Sequence, residues 1–379
     1  MAITLREVKG LFVSNPNAHE TKQLPSFDLE LRVDVSLPQD RFIPIVRSGL
    51  YYKKVRPNMA NVTIPETTLN TSGKPIPLLG FGTAEFPFGS SDNVKEHLLQ
   101  AIQLGYRHFD SASIYLSEQP LGEAMADALE VGLLNSRDEL FITTKLWCSD
   151  AHGDRVVPAL QRSLKNLRLE YVDLYLVHFP LSSKPGECEI PVKEDLLQFD
   201  YEGVWKAMEE CQKQGLAKNI GVSNFSSKKL EKLLSIAEIA PAVNQVEMNP
   251  LWQQQKLREF CKEKGIHITA YSPLGAKGTL WGTNRVMEAE VLQEIGKAKG
   301  RTLAQVCLRW AYEQGVSVLV KSFNKERMKE NLDIFDWSLS LEELNKISQI
   351  SQKKGYAGLQ FVSPNGPYRS PEEFWDEEI

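Results

Sequence analysis

The chain has 379 residues, 42% of them hydrophobic and 25% charged, with a formal net charge of −5. That balance is ordinary for a globular protein with a large core and unlike a disordered chain. The mild acidity argues against a general nucleic-acid binder, which would carry a basic field. No 18-residue apolar run is present and no charged-then-apolar leader opens the chain, so neither a membrane span nor a secretory signal is expected. The five cysteines, Cys148, Cys188, Cys211, Cys261 and Cys307, are scattered and form no C-x-x-C. They read as reduced thiols of a cytoplasmic protein, with no metal site among them. Without a leader, the glycosylation-like triplets at Asn61, Asn70 and Asn224 read as chance matches.

Residues 1–58 stand apart. They carry Pro16, Pro25, Pro38, Pro44 and Pro57 and no sustained period of 2 or 3.6. Glu7, Glu20, Asp28, Glu30 and Asp34 count against a transit peptide, which is acid-poor. The expectation is a weakly ordered extension before a domain spanning 59–379, with Met59 as a plausible second start.

From Thr63 a rhythm begins. Apolar or β-branched runs at Ile76–Thr83, Tyr106–Ala112, Leu140–Trp147, Val172–Phe179, Asn219–Phe225, Ala242–Met248, His267–Pro273 and Val316–Ser322 predict strands covered on both faces. Amphipathic stretches separate them, at Asn93–Leu104, Gln119–Glu130, Arg155–Leu167, Tyr201–Lys213, Lys228–Ile236 and Gln254–Lys264. Val156, Leu160, Leu164 and Leu167 form a one-sided helical stripe. Gly105, Gly215, Gly265 and Gly315 stand between a helix-like run and a strand, where a left-handed cap is needed.

Alternation of this kind implies parallel pairing through right-handed crossovers. Two sheets could result, an open doubly wound one or a closed (β/α)8 barrel of the TIM type. The open sheet wants a dinucleotide finger after its first strand. Gly80-Phe-Gly82-Thr-Ala-Glu85 begins like one but has Glu85 where the third glycine belongs, and no acidic residue is placed to close a second strand. The α/β barrel is therefore expected, with long loops and the N-terminal extension. Its reactive groups should sit at the carboxyl ends of the strands.

At those ends stand Asp110 and Tyr115 after the second strand, Lys145 near the end of the third and His178 near the end of the fourth. Singly, each reads as a packing residue or half of an ion pair. Together they fit one reaction. Hydride addition to a carbonyl makes an alkoxide, which needs a proton. A phenol of pKa about 10 becomes a better donor when an ammonium lowers that value. Asp110 would hold Lys145 charged, and His178 would donate a hydrogen bond to the substrate oxygen. The hydride must come from a cofactor.

Gly105-Tyr-Arg-His-Phe-Asp110-Ser-Ala-Ser-Ile-Tyr115-Leu-Ser-Glu118 resembles the signature of the aldo-keto reductases. Lys145-Leu-Trp147, Leu176-Val-His178-Phe-Pro180, Ile220-Gly-Val-Ser-Asn-Phe225, Asn244-Gln245, Ala270-Tyr-Ser-Pro-Leu-Gly275 and Lys321-Ser-Phe-Asn-Lys-Glu-Arg327 do so too, in order, over residues 63–379. Ser363-Pro-Asn-Gly-Pro-Tyr368, Glu372-Glu-Phe-Trp-Asp376 and Met208-Glu-Glu-Cys211 are similar to the plant branch containing chalcone reductase and codeinone reductase. Residues 1–58 have no counterpart there.

The resemblance implies a catalytic tetrad of Asp110, Tyr115, Lys145 and His178 and an extended NADPH across the barrel rim. It puts Thr83 and Asp110 at the nicotinamide ribose. Ser223, Asn224 and Gln245 meet the carboxamide, and Tyr271 stacks on the ring. Ser272 and Leu274 line the pyrophosphate. Lys321, Ser322, Asn324 and Arg327 take the 2′-phosphate, with Glu330 and Asn331 near the adenine. Two positions depart from the family pattern: Phe179 replaces the common Trp, and Phe109-Asp110-Ser111 replaces Ile-Asp-Thr.

The long segments Leu181–Asp200, Gly275–Met287 and Gly355–Ile379 should set specificity. Trp147, Phe179, Trp281, Phe361 and Tyr368, beside His178, are candidates for the pocket wall, which would suit a bulky polyketide or alkaloid ketone. The expected protein is a monomer acting on a small-molecule carbonyl, with no nucleic-acid, membrane or metal partner. Two alternatives stand beside this reading: imine (C=N) reduction on the same scaffold, and a non-catalytic cofactor-binding regulatory subunit.

Overall fold

Residues 63–70, 73–186 and 188–379 are described in the structure, a computed structural model. The expectation of weak order in residues 1–58 lies outside the described residues.

Eight strands close into one barrel in sequence order. They are β1 (Leu79–Gly82), β2 (His108–Asp110), β3 (Phe141–Leu146), β4 (Val172–Val177), β5 (Ala217–Ser223), β6 (Val243–Glu247), β7 (His267–Tyr271) and β8 (Ser317–Val320). Every neighbouring pair is parallel, and Val318 to Val320 on β8 pair with Leu79 to Phe81 on β1 to complete the ring. Residues of β3 and β4 are buried at every position, as expected for strands with a filled lumen inside and helices outside. Helix α1 (Val94–Leu104) follows β1, α2 (Glu118–Glu130) follows β2 and α3 (Val156–Leu167) follows β3. Val156, Leu160, Leu164 and Leu167 do face the core from α3. Gly105 and Gly265 close their helices at φ 106° and 70°, a conformation that costs a side-chain-bearing residue more than glycine. Among the described residues, no helix is long and apolar enough to cross a membrane.

The predicted first strand, Ile76–Thr83, is two elements. Ile76–Pro77 pairs antiparallel with Glu66–Thr67, and the barrel strand starts at Leu79. Pro77 has no N–H for a ladder, so the chain turns there, and Leu78 N–H donates to Pro65 O at 2.8 Å. Ile76 and Leu69 pack with Phe141, Ala242 and Val243, which begin their strands or immediately precede them. The hairpin thus covers the amino-terminal mouth, leaving the carboxyl rim for chemistry.

The lower barrel also encloses two histidines, His108 fully buried and His267 half-buried. His108 Nδ1 lies 3.3 Å from Pro77 O, and its Nε2 lies 3.3 Å from Thr143 Oγ1. His267 Nε2 accepts from Ser317 N at 3.2 Å and lies 2.7 Å from Ser317 Oγ. Burial pushes both from the usual 6.5 down to about 4. A proton on His267 Nε2 would cancel the bond from Ser317 N. The unfolded chain binds these protons more readily than the native one below pH about 6.5, so this stability is full above that pH and lost as pH falls. The melting temperature should drop between pH 6.5 and 5, with net proton uptake on unfolding measurable by calorimetry in two buffers. A flat melting temperature over that window would contradict the assignment.

Candidate active site

The carboxyl rim gathers the predicted polar set. Asp110 ends β2, and the next turn, a 3-10 helix at Ser113–Tyr115, lifts the phenol of Tyr115 over the barrel mouth. Lys145 is the penultimate residue of β3, and His178 directly follows β4. Lys145 Nζ donates to Asp110 Oδ1 at 2.5 Å and to Ser111 O at 2.9 Å. The ammonium stands 4.9 Å from the centroid of the Tyr115 ring. Tyr115 Oη lies 3.2 Å from His178 Nε2. All four predicted groups meet.

The electrostatics depart from one expectation. Burial pushes the Tyr115 phenol well above 10, and the Asp110 carboxylate pushes it the same way. The lowering expected from Lys145 is outweighed: burial dominates, and the nearby Asp110 carboxylate adds to it. Tyr115 is therefore a protonated phenol at neutral pH. Burial, opposed by Asp110, lowers Lys145. Burial and then the charge of Lys145 push His178 well below 6.5, so its imidazole is neutral.

A second layer ties this set to β5, β6 and β7. Gln245 Nε2 donates to the other Asp110 oxygen at 2.7 Å. Asn224 Nδ2 donates to His178 O at 2.9 Å and Tyr271 Oη to Asn224 Oδ1 at 2.7 Å. Ser223 Oγ donates to Gln245 O at 2.7 Å. Thr83 Oγ1 donates to Asp110 O at 3.0 Å and touches Ser117 Oγ at 2.6 Å. Ser272 and Leu274 follow β7, with Ser272 in the left-handed region at φ 51°.

The residues predicted for the 2′-phosphate cluster beyond β8. Lys321 Nζ sits 3.9 Å from Glu85 Oε2 and 4.1 Å over the Phe323 ring. Asn324 caps the helix Lys325–Leu332, its Oδ1 accepting from Arg327 N at 3.0 Å. Ser322 Oγ accepts from Asn324 N at 3.1 Å. Arg327 is exposed, and its guanidinium has no hydrogen-bond or ion-pair partner among the described residues. The Glu330 carbonyl is taken by Gln305 at 3.1 Å, while Asn331 is buried beside Tyr106.

Above the polar floor lies an open cleft of about 590 Å3, mouth included. Trp147, Phe179, Trp281 and Phe361 line it as expected. Phe179 stacks on His178 at 5.2 Å, and Trp147 Nε1 donates to Glu189 O at 2.6 Å. Tyr368 does not line the cleft. Its hydroxyl donates to Pro180 O at 3.1 Å and its ring packs on Phe374 at 5.0 Å, so it braces the carboxyl-terminal segment from behind.

Residues 78–352 match the model of the aldo/keto reductase family, most of the chain. The chain belongs to the aldo/keto reductase family. The reductase is 65% identical over 317 residues to the (1S)-1,7-diacetoxy-luvungin A aldo-keto reductase of Citrus sinensis, covering 83% of this chain and 99% of that protein. It is 56% identical over 316 residues to the NADPH-dependent codeinone reductase 1-4 of Papaver somniferum, covering 83% of this chain and 98% of that one. The crystal structure of a Bombyx mori aldo-keto reductase in complex with NADP superposes with a TM-score of 0.68 at 37% identity, covering 77% of this chain and 94% of that chain. The reductase is accordingly an NADP-dependent oxidoreductase acting on carbonyls.

Several cleft residues of the reductase were not among the sequence candidates. Phe88 stacks between Tyr115, at 5.7 Å, and Trp281, at 6.0 Å. Ile114, Ile190, Leu280, Tyr356 and Gln360 complete the wall. A signal for Phe88 existed in Phe86-Pro-Phe88, directly after the first strand. Tyr356 and Gln360 lie in a segment with no periodicity, so nothing marked which of its side chains turn inward.

Proposed function

We propose that the protein reduces one carbonyl of a bulky, mainly apolar plant specialised metabolite, with Tyr115 as proton donor. The observation that carries this is a protonated, half-buried phenol in contact with a neutral imidazole and near an Asp110–Lys145 pair, on the floor of an aromatic cleft. His178 Nδ1 is buried with no partner among the described residues. An unpaired donor is the costlier orphan, so the imidazole proton belongs on Nε2. From there it donates to the carbonyl oxygen and holds it beside the Tyr115 hydroxyl. As negative charge grows on that oxygen, the Tyr115 proton moves to it. The phenolate left behind is stabilised by Lys145, and Asp110, anchored by Gln245, holds the ammonium in place.

The rim fits NADPH. Arg327, exposed and unpaired among the described residues, and Lys321 are cations within one short stretch, as a 2′-phosphate requires. Ser322 and Asn324 would add donors beside it, and Glu330 and Asn331 would border the adenine. Ser223, Asn224 and Gln245 would bond the carboxamide, Tyr271 would stack on the ring, Thr83 and Asp110 would meet the ribose, and Ser272 and Leu274 the pyrophosphate. The cofactor, when bound, supplies the hydride.

The apolar wall supports a bulky substrate, as do relatives named as acting on diacetoxy-luvungin A and codeinone. The test is NADPH oxidation against aromatic and alicyclic ketones, aldehydes and cyclic imines. Bulky ketones should lead in kcat/KM. No turnover of any carbonyl, or preference for the imines, would overturn the reading.

We also assign the working domain to residues 59–379, in a monomeric cytoplasmic enzyme. The family match and relatives covering 83% of the chain support the boundary, and five free thiols support the compartment. A protein beginning at Met59 should keep its melting temperature and kcat. Insoluble or inactive truncated protein would refute the boundary. Light scattering and imaging of a tagged protein test the rest.

A further inference from the structure

The cleft holds two polar side chains that neither the proposed chemistry nor the proposed cofactor contacts use. Tyr356 and Gln360 both come from the carboxyl-terminal segment and both line it. Gln360 Nε2 donates to Tyr356 Oη. Among the described residues, no acceptor meets the Tyr356 hydroxyl proton and no donor meets the Gln360 side-chain carbonyl. The pair therefore offers one donor and one acceptor to whatever fills the cleft.

Their position is set by the barrel rather than by the loop. Glu247, buried at the end of β6, accepts from Gly355 N at 2.9 Å and Tyr356 N at 3.0 Å. Arg285 Nη2 donates to Lys353 O at 3.2 Å and to Lys354 O at 3.1 Å. Lys354 lies 3.8 Å over the Trp375 ring. The Tyr356 ring packs at 6.0 Å from Phe179, which itself stacks on His178. A carboxylate bonded to two successive backbone N–H groups fixes the root of the segment, so the Tyr356 hydroxyl is held ready before substrate arrives.

We propose that Tyr356 and Gln360 form a second polar anchor, which selects ketones carrying another oxygen function, a hydroxyl, carbonyl or ester, away from the reacting carbonyl. This rests on the carbonyl-reductase reading above. Above a polar floor of Tyr115, His178, Ser223, Asn224 and Gln245, the rest of the wall is mainly aromatic and aliphatic, so one such pair decides orientation there. A substrate oxygen that meets it gains a hydrogen bond; a hydrocarbon at the same place leaves the pair buried and unsatisfied. Glu247 acts as a positioning residue for the anchor.

The test compares matched polycyclic ketones that differ only by a second oxygen, such as 5α-androstan-3-one and its hydroxylated derivatives at several ring positions. The ratio of kcat/KM for each hydroxy ketone over its parent is measured in wild type, Tyr356→Phe and Gln360→Leu. Tyr356→Phe keeps the ring and its packing. At least one hydroxy ketone should lead its parent by roughly two- to tenfold in wild type, the worth of one neutral hydrogen bond. That advantage should fall towards unity in both variants. If wild type favours no hydroxy ketone, or if the advantage survives both substitutions, the anchor is wrong. If wild type reduces neither parent nor derivative while oxidising no NADPH with any carbonyl, the failure lies with the reductase reading instead. Circular dichroism of each variant verifies its folding, and Glu247→Gln should raise KM for the favoured hydroxy ketone more than it lowers kcat.

Discussion

Tyr115→Phe should reduce carbonyls roughly 10²–10⁴-fold more slowly in a single turnover while binding NADPH as wild type does. The substitution removes one oxygen and keeps the ring that stacks on Phe88 at 5.7 Å and meets His178 edge-on at 5.4 Å. The cleft therefore keeps its shape. What disappears is the proton that the nascent alkoxide needs. His178 is a poor replacement: burial and the Lys145 charge keep it neutral, and the proton placed on Nε2 belongs to an imidazole far too weak an acid to deliver it. Lys145 is held away by Asp110 and the Ser111 carbonyl. Rapid mixing of the enzyme–NADPH complex with a good ketone, followed by nicotinamide absorbance, reads the chemical step directly. A variant within about tenfold of wild type would assign the proton to another group.

Arg327→Ala should weaken NADPH by roughly ten- to a hundredfold and leave NADH nearly unchanged. The two cofactors differ by a 2′-phosphate, so only groups that meet it can separate them. The Arg327 side chain is well suited to a clean test. Its backbone N–H is held by the Asn324 cap at 3.0 Å, which alanine preserves, and its guanidinium makes no ion pair among the described residues. Truncation thus removes a charge and a planar fork without breaking an internal contact. Lys321 is a less clean probe, since Glu85 stands 3.9 Å from its ammonium and its loss would also disturb that loop. Titrating both cofactors into wild type and variant by tryptophan quenching decides the matter. Equal weakening of both would remove Arg327 from phosphate recognition.

The barrel was legible because burial on both faces writes itself along the chain. Runs such as Val172–Phe179 and stripes such as Val156, Leu160, Leu164 and Leu167 reflect contacts that each element must make wherever it lies. The meeting of the four candidate groups was legible for a related reason. A parallel barrel sends every strand end to one rim, so Asp110, Lys145 and His178, far apart in sequence, had to meet once the strands were known. The order Lys321, Ser322, Asn324, Arg327 was equally local, with the helix cap at Asn324 fixing its turn.

Three things required the tertiary structure. The split of Ile76–Thr83 depended on a partner at Glu66–Thr67 that no local pattern announced. The direction of the Tyr115 shift depended on burial and on the Asp110 carboxylate nearby, which distance and enclosure decide and residue type does not. The cleft wall depended on loops without period. There Tyr368 turned behind the segment to bond Pro180, while Tyr356, 12 positions earlier, turned inward. By itself the sequence determined the barrel, the reactive rim and the family chemistry, because those follow from repeating backbone geometry. Which aromatic and polar side chains line the cleft was decided only by folding, since an irregular segment takes its side-chain directions from what it packs against, here Glu247 on β6 and the rings of Phe179 and Trp375.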